Sequence, residues 1–358
     1  MKNLTHLKMK YFIKKSILPS LMLCFTVILI ACSDSEGPTV NNSAGNPLAG
    51  AYILYGAPAF TDYAFYDAAR DSVTDNVYRT YNPGKTLQGN PGDMKLNSDG
   101  KIYITSSGVP GSNGTIYKID PITNGIEDSL YFGIAPNGFA INNNRIVVGN
   151  SGSTNITVLD MDFNIIKDTV EVGSNPANVL YAFNKYIVTR SALNNEPSAA
   201  FVNETNYGVT KQFFPAVPVS AIYNVNGIFI STNNNKNIYR VDPELLATTD
   251  SFAVPTALVG INVLEFKTQN SFYSVVGGNE VWLAAANSGT FSFNKIYTAA
   301  SAENIQTIAY ESSTNELYLG LWHSNGFLVI IDGTSGVVKR TKPLVPGLVA
   351  QKIVFRYF

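Results

Sequence analysis

Few side chains in this 358-residue chain could run a reaction. His323 follows Trp322 and is the only histidine besides His6. A serine nucleophile would have to use it as a base, yet no Gly-x-Ser-x-Gly elbow is present. Zinc or iron centres built on several histidines are excluded, and there is no Gly-rich phosphate loop. One run has calcium-loop spacing: Asp160-x-Asp162-x-Asn164, with Asp168 and Glu171 further on. Its sixth position needs glycine for the sharp turn but holds Ile165, and no helix flanks it, so the run reads as a turn between strands. What remains is binding by neutral polar groups and aromatic faces.

Residues suited to binding lie in stretches rich in Asn, Ser and Gly, at 56–62, 106–114, 150–155, 190–198, 232–237, 287–289 and 322–325. Our candidate ligand residues in and beside them are Phe60, Tyr63, Asn113, Asn150, Asn155, Arg190, Asn194, Asn233, Asn287, Trp322 and His323. Amides and hydroxyls offer hydrogen bonds without charge, and aromatic rings add apolar contact area. Asn and Gly also suit tight turns, which is reason enough for many of them. Tyr63 and Trp322 read equally as exposed binding groups or as core, and His323 as a ligand contact or an ordinary loop residue.

A repeat positions these stretches. Residues 136–160 read as three short strands, 139–141, 146–148 and 156–159, turned by Asn142-Asn-Asn144 and by a polar loop, with a fourth at 169–172. An acid or amide closes the third strand, and it recurs as Asp67, Asp120, Asp160, Asn203, Asp242, Asn294 and Asp332, about 44 residues apart. Four-stranded blades of a β-propeller recur at that interval, and seven anchors predict seven blades. The strands are apolar on both faces, as a sheet packed between two others requires. Blade 1 has strands at 51–55 and 63–66 and an outer strand at 73–78, but lacks an innermost strand. Residues 351–358 would supply it and close the ring. In blade 6 an insertion at 255–269 precedes strands at 271–276, 281–285 and 290–293. Helical periodicity is absent over any ten residues, although 244–249 could make one turn. Loops joining second to third strands share a rim with the blade-to-blade connections, so the candidate loops would meet around one channel mouth.

The runs Asn-Ile-Thr-Val-Leu-Asp160, Val-Gly-Ser-Asn-Pro176 and Lys-Tyr-Ile-Val-Thr189 resemble the YVTN surface-layer propellers. The resemblance implies an all-β seven-bladed propeller over residues 51–358. At the N-terminus, Lys2, Lys8, Lys10, Lys14 and Lys15 precede an apolar run, 17–31, too short for a comfortable membrane span. That run ends in Leu29-Ile30-Ala31-Cys32, which resembles a bacterial lipobox. Residues 1–31 would then be a signal peptide, Cys32 the lipidated first residue, and 32–50 a Gly/Pro/Asn/Ser-rich tether. Cys24 falls within the signal, so no disulfide framework or thiol chemistry is expected. Loss of the five lysines leaves 20 basic against 26 acidic residues, a net charge of −6, and no basic stripe for nucleic acid.

Ser33-Asp34-Ser35-Glu36-Gly37 resembles the surface-export signal of Bacteroidota lipoproteins. Asp71-Ser72-Val73, Asp128-Ser129-Leu130 and Asp168-Thr169-Val170 resemble the O-glycosylation motif of the same group. YVTN-like lipoproteins of Bacteroidota include corrinoid-capturing proteins that sit on the outer-membrane vitamin B12 transporter. The resemblance therefore implies capture of a small molecule, such as cobalamin, for a TonB-dependent receptor at the cell exterior, without catalysis or a resident cofactor. A protein-interaction or adhesion propeller is the alternative. A lactonase-type hydrolase is a third reading, but it needs inward carboxylates on the first strands, where the sequence offers Asp93 and Glu303.

Overall fold

The computed structural model describes residues 46–57, 60–108, 111–191, 195–233, 235–255, 264–287, 290–300, 303–322 and 326–358. The expected signal peptide, Cys32, most of the tether, Asn194 and His323 lie outside the described residues. Among the described residues are seven four-stranded antiparallel sheets, each a blade. The innermost strands of blades 2 to 7 are Asn90–Leu96, Pro136–Asn142, Pro176–Ala182, Pro218–Asn224, Leu264–Thr268 and Asn304–Glu311. Blade 1 takes its innermost strand, Val349–Tyr357, from the other end of the chain, and this strand pairs with Leu48–Ala57. The ring is closed as the sequence predicts, and the fold is an all-β seven-bladed propeller.

Alternating strand direction creates two rims. The upper rim holds the second-to-third turns and the blade-to-blade connections. The lower rim holds the first-to-second and third-to-fourth turns. Apolar side chains fill the spaces between neighbouring blades. Ile53, Tyr66, Tyr318 and Phe355 pack between blades 7 and 1, and Tyr52, Leu54, Met94 and Ile104 between blades 1 and 2. This explains strands that are apolar on both faces. Four inner strands carry a proline in their first two positions, Pro91, Pro136, Pro176 and Pro218, and in each the pairing slips just beyond it. Proline has no N–H to give to a ladder, so it is confined to such places.

The repeated anchor has a mechanical role. Asp160, Asn203, Asp242 and Asp332 each accept two backbone N–H bonds from the turn that follows, for example Asp332 Oδ1 from Thr334 and Ser335 at 3.0 and 2.8 Å. Asp67 and Asp120 accept in the same way from the backbone of Arg70 and Ile122. These are Asx turns, closing the third strand onto the fourth. The calcium-like run is one of them: Asp160 accepts from the backbone of Asp162 and Asn164 and from the Asn164 amide. The hydrogen bonds from Asn164, opposed by some desolvation, hold the Asp160 carboxyl below its ordinary range.

Four assignments differ from expectation. The outer strand of blade 1 is only Ser72–Thr74, and residues expected to extend it form a short helix, Val77–Tyr81. Buried Asp62 determines this. Its carboxylate accepts the N–H groups of Tyr63 and Tyr78 and pairs with Arg79 Nε at 3.0 Å, so the chain folds back against the blade. Blade 6 is shifted by one strand. Leu264–Thr268, expected to belong to an insertion, is its inner strand, and the remaining strands are Ser271–Val276, Glu280–Asn287 and Thr290–Thr298. Asn294 therefore lies within the outer strand, opposite Leu283, while Asn287 ends the third strand where an anchor belongs. Finally, the first strand begins at Leu48, three residues before the expected propeller boundary, and 243–245 form a turn rather than a helix.

Candidate functional site

The upper rim brings together some of the predicted ligand residues and uses others as structure. Arg190 is fully buried. Its guanidinium donates to the carbonyls of Ser198, Gly173 and Val172 at 2.8, 3.0 and 2.6 Å, clamping the connection between blades 3 and 4. Glu196 stands 3.5 Å from it. Burial works against the Glu196 charge, but hydrogen bonds from Lys211 and Ser198, the Arg190 charge and the Ser174 N–H together hold its carboxyl down at about 2. Tyr63 is likewise core. It packs edge-on to Tyr52, and its hydroxyl donates to Asn124 Oδ1 at 3.0 Å. Asn150 is buried and gives its amide hydrogens to Asn155 Oδ1 and Thr157 Oγ1 at 2.7 and 2.9 Å. These three positions satisfy or support the fold and present little to solvent.

Other predicted residues do face the rim. Asn113 and Asn155 begin third strands and are half-exposed. Asn233 follows the second strand of blade 5, and its backbone N–H donates to Val217 at 2.8 Å. Phe60 begins the third strand of blade 1 under the Arg79 guanidinium, 4.1 Å from the ring centre. Trp322 is 43% exposed at the end of the second strand of blade 7, opposite Asn304, the first residue of an inner strand. The indole therefore stands one strand away from the channel mouth. Asn287 does not join this group. The turn after it links third and fourth strands, which places it on the lower rim.

Below the rim, the inner strands of blades 1, 2, 3, 6 and 7 enclose a cavity of about 120 Å³. Lys95, Glu265 and Lys352 line it. Burial pushes the Glu265 carboxyl up to about 8, against the pull of the Lys352 ammonium. A space of this size holds several waters, whereas pockets for drug-sized molecules begin at roughly 300 Å³. This cavity is therefore too small to enclose such a molecule. The expected inward carboxylates each accept a local backbone N–H. Asp93 accepts the Met94 N–H at 2.8 Å, and Glu303 caps a turn through the Ala300 N–H at 3.2 Å. Among the described residues, no three His, Cys, Asp or Glu side chains gather as a metal site. Sequence reasoning missed Glu265 by reading its strand as insertion, although Leu-Glu-Phe-Lys-Thr268 has the apolar-polar alternation of a strand.

No protein-family model matches the chain, and no curated protein matches it in sequence. Solved structures do. A functionally unknown protein from Desulfotomaculum acetoxidans is 12% identical at a TM-score of 0.65, covering 85% of this chain and 98% of its own. A candidate 6-phosphogluconolactonase from Bacteroides fragilis is 11% identical at 0.61, covering 86% and 98%. The dihydro-heme d1 dehydrogenase NirN, in complex with DHE, is 11% identical at 0.60, covering 86% and 75%. At these identities the likeness is one of fold: a seven-bladed β-propeller similar in structure to lactonase-like propellers.

Proposed function

We propose that this chain is a non-catalytic capture protein, lipid-anchored through Cys32 on the outer face of the outer membrane, which holds a small molecule at its upper rim for a TonB-dependent receptor. The observation that carries the rim as the binding site is Trp322: a large aromatic side chain left 43% exposed beside the channel mouth, where burial between blades was equally open to it. Around it the rim offers half-exposed amides and the Phe60–Arg79 pair, groups that bind through apolar faces and neutral hydrogen bonds. A rigid ring keeps the ordering cost of many weak contacts low. The cavity is too small for a corrinoid, which fits a ligand seated on the surface.

The ligand proposed is a corrinoid. The lipobox-like Cys32 run and the acidic run behind it support that group resemblance. NirN, a propeller of similar fold, is a dihydro-heme d1 dehydrogenase in complex with DHE. The test is titration of the lipidated protein with cobalamin, followed by fluorescence of its two tryptophans, Trp282 and Trp322. Saturable quenching at micromolar cobalamin is expected, with affinity weakened about ten-fold in Trp322→Ala. No binding at that concentration removes the corrinoid, and unchanged affinity in Trp322→Ala removes this rim position.

A further inference from the structure

The lower rim carries an unusual share of exposed apolar side chains. Of the fourteen large ones exposed among the described residues, nine lie in its turns or at the adjoining strand ends. They include Ile122 on blade 2, Ile165 and Ile166 on blade 3, Leu245 on blade 5, Val337 on blade 7 and Phe358 beside blade 1. Ile122 is 80% exposed and Leu245 77%. Turn tips do not need such residues, because the Asx turns that shape them are made by the anchor side chain and backbone. Single exposed aliphatics are ordinary, but repetition on one face of a ring marks a surface that meets something apolar.

The chain's entry point says what that is. The first strand starts at Leu48 on this same rim, and the Phe358 N–H donates to the Pro47 carbonyl there at 3.2 Å. Fifteen residues separate Cys32 from Leu48, and a flexible chain of that length spans on the order of 20 Å. If Cys32 holds a lipid, so short a connection brings the face it leaves from against the bilayer. Of the acidic anchors on that face, Asp67, Asp120 and Asp332 are paired with Arg70, Lys101 and Lys339, so charge gives this rim little pull on anionic headgroups and apolar insertion carries the contact.

We infer that the lower rim is a membrane-docking face, whose aliphatic turn tips dip into the boundary of an uncharged lipid surface and hold the upper rim away from the bilayer. The inference rests on the lipid-anchor reading, and its test separates the two. The mass of the mature protein reports acylation at Cys32. The full lipidated chain is prepared as Leu245→Cys and, as an upper-rim control, Phe213→Cys, which is also exposed. Each is labelled with a thiol-reactive fluorophore and reconstituted in phosphatidylcholine vesicles containing a brominated-chain lipid. Quenching of two-fold or more at 245, with 213 unchanged, is expected, and adding anionic lipid should not strengthen it. Replacing Ile122, Ile166 and Val337 together by Asp should abolish the quenching while the anchor remains. Acylated protein with neither label quenched overturns the docking face, leaves the anchor intact and assigns the apolar tips to a protein partner. Unacylated protein still quenched at 245 on added vesicles upholds the face and removes the anchor. Unacylated protein without quenching removes both.

Discussion

Ile53 and Ile353 face each other across the pairing that joins the two ends of the folded chain. Both are buried in the core between blades 7 and 1. The pair joins segments three hundred residues apart in sequence, and the ring has no free inner edge because of it. Ile353→Ala should therefore behave as a deep core deletion, costing roughly 2–4 kcal/mol. Urea unfolding should show a lower midpoint at an unchanged slope. Loss of residues 349–358 should prevent cooperative folding, because it uncovers blade 1 and one face of each neighbour. A truncated chain that melts as sharply as the whole would refute the closure as the stabilising element.

Arg190 gives the second prediction. Full burial and three backbone carbonyl partners commit it to the fold. Arg190→Ala should destabilise by about 3–5 kcal/mol, since three carbonyls and Glu196 lose a buried cation. Arg190→Lys should not rescue it, because an ammonium cannot span the fork the guanidinium fills. Glu196 adds a pH dependence. Its folded pKa lies below the ordinary carboxylate value, so its contribution is present above about 4.5 and is lost as pH falls towards about 2. Thermal melts between pH 2 and pH 5 should be steeper in pH for the native protein than for Arg190→Met.

The repeat was legible because its cause is local. An Asp or Asn that closes a turn through its own side chain must sit at a fixed place in every blade, and the apolar runs follow from burial on both faces. Closure was legible by the same count, since one blade lacked a strand and one strand lacked a blade. The slip in blade 6 arose because Asn294 looks like an anchor, while Asn287 gives even intervals of 45 residues from Asp242 and to Asp332. Site residues were harder. Nothing in the types of Arg190, Tyr63 or Asn150 distinguishes a ligand contact from a structural one, since burial depends on which carbonyl, ring or amide the fold brings near. Glu265 was hidden for the opposite reason, because channel lining is created by the ring as a whole.

Glu265 supplies a third prediction, of opposite sign to Glu196. Its folded pKa is raised to about 8, so the folded state favours the protonated acid. Its contribution is complete below about 4.5, the unfolded value, and is lost as pH rises through about 8. Glu265→Gln keeps the shape without the charge. It should melt with the native protein near pH 4 and several degrees above it at pH 9. Equal melting temperatures across that range would show that the cavity hydrates the carboxylate fully.

The two rims make the last prediction a comparison of two residues that sequence alone grouped together. Trp322 lies on the upper rim beside an inner strand, and Asn287 ends a third strand on the lower rim. A ligand seated at the channel mouth contacts one and not the other. In the cobalamin titration, Trp322→Ala should weaken binding about ten-fold, a loss of about 1.4 kcal/mol, while Asn287→Ala should bind as the native protein does. If Asn287→Ala loses affinity and Trp322→Ala keeps it, the ligand lies on the lower rim. The membrane-docking face would then be the binding face, and the orientation proposed for the ring would be inverted.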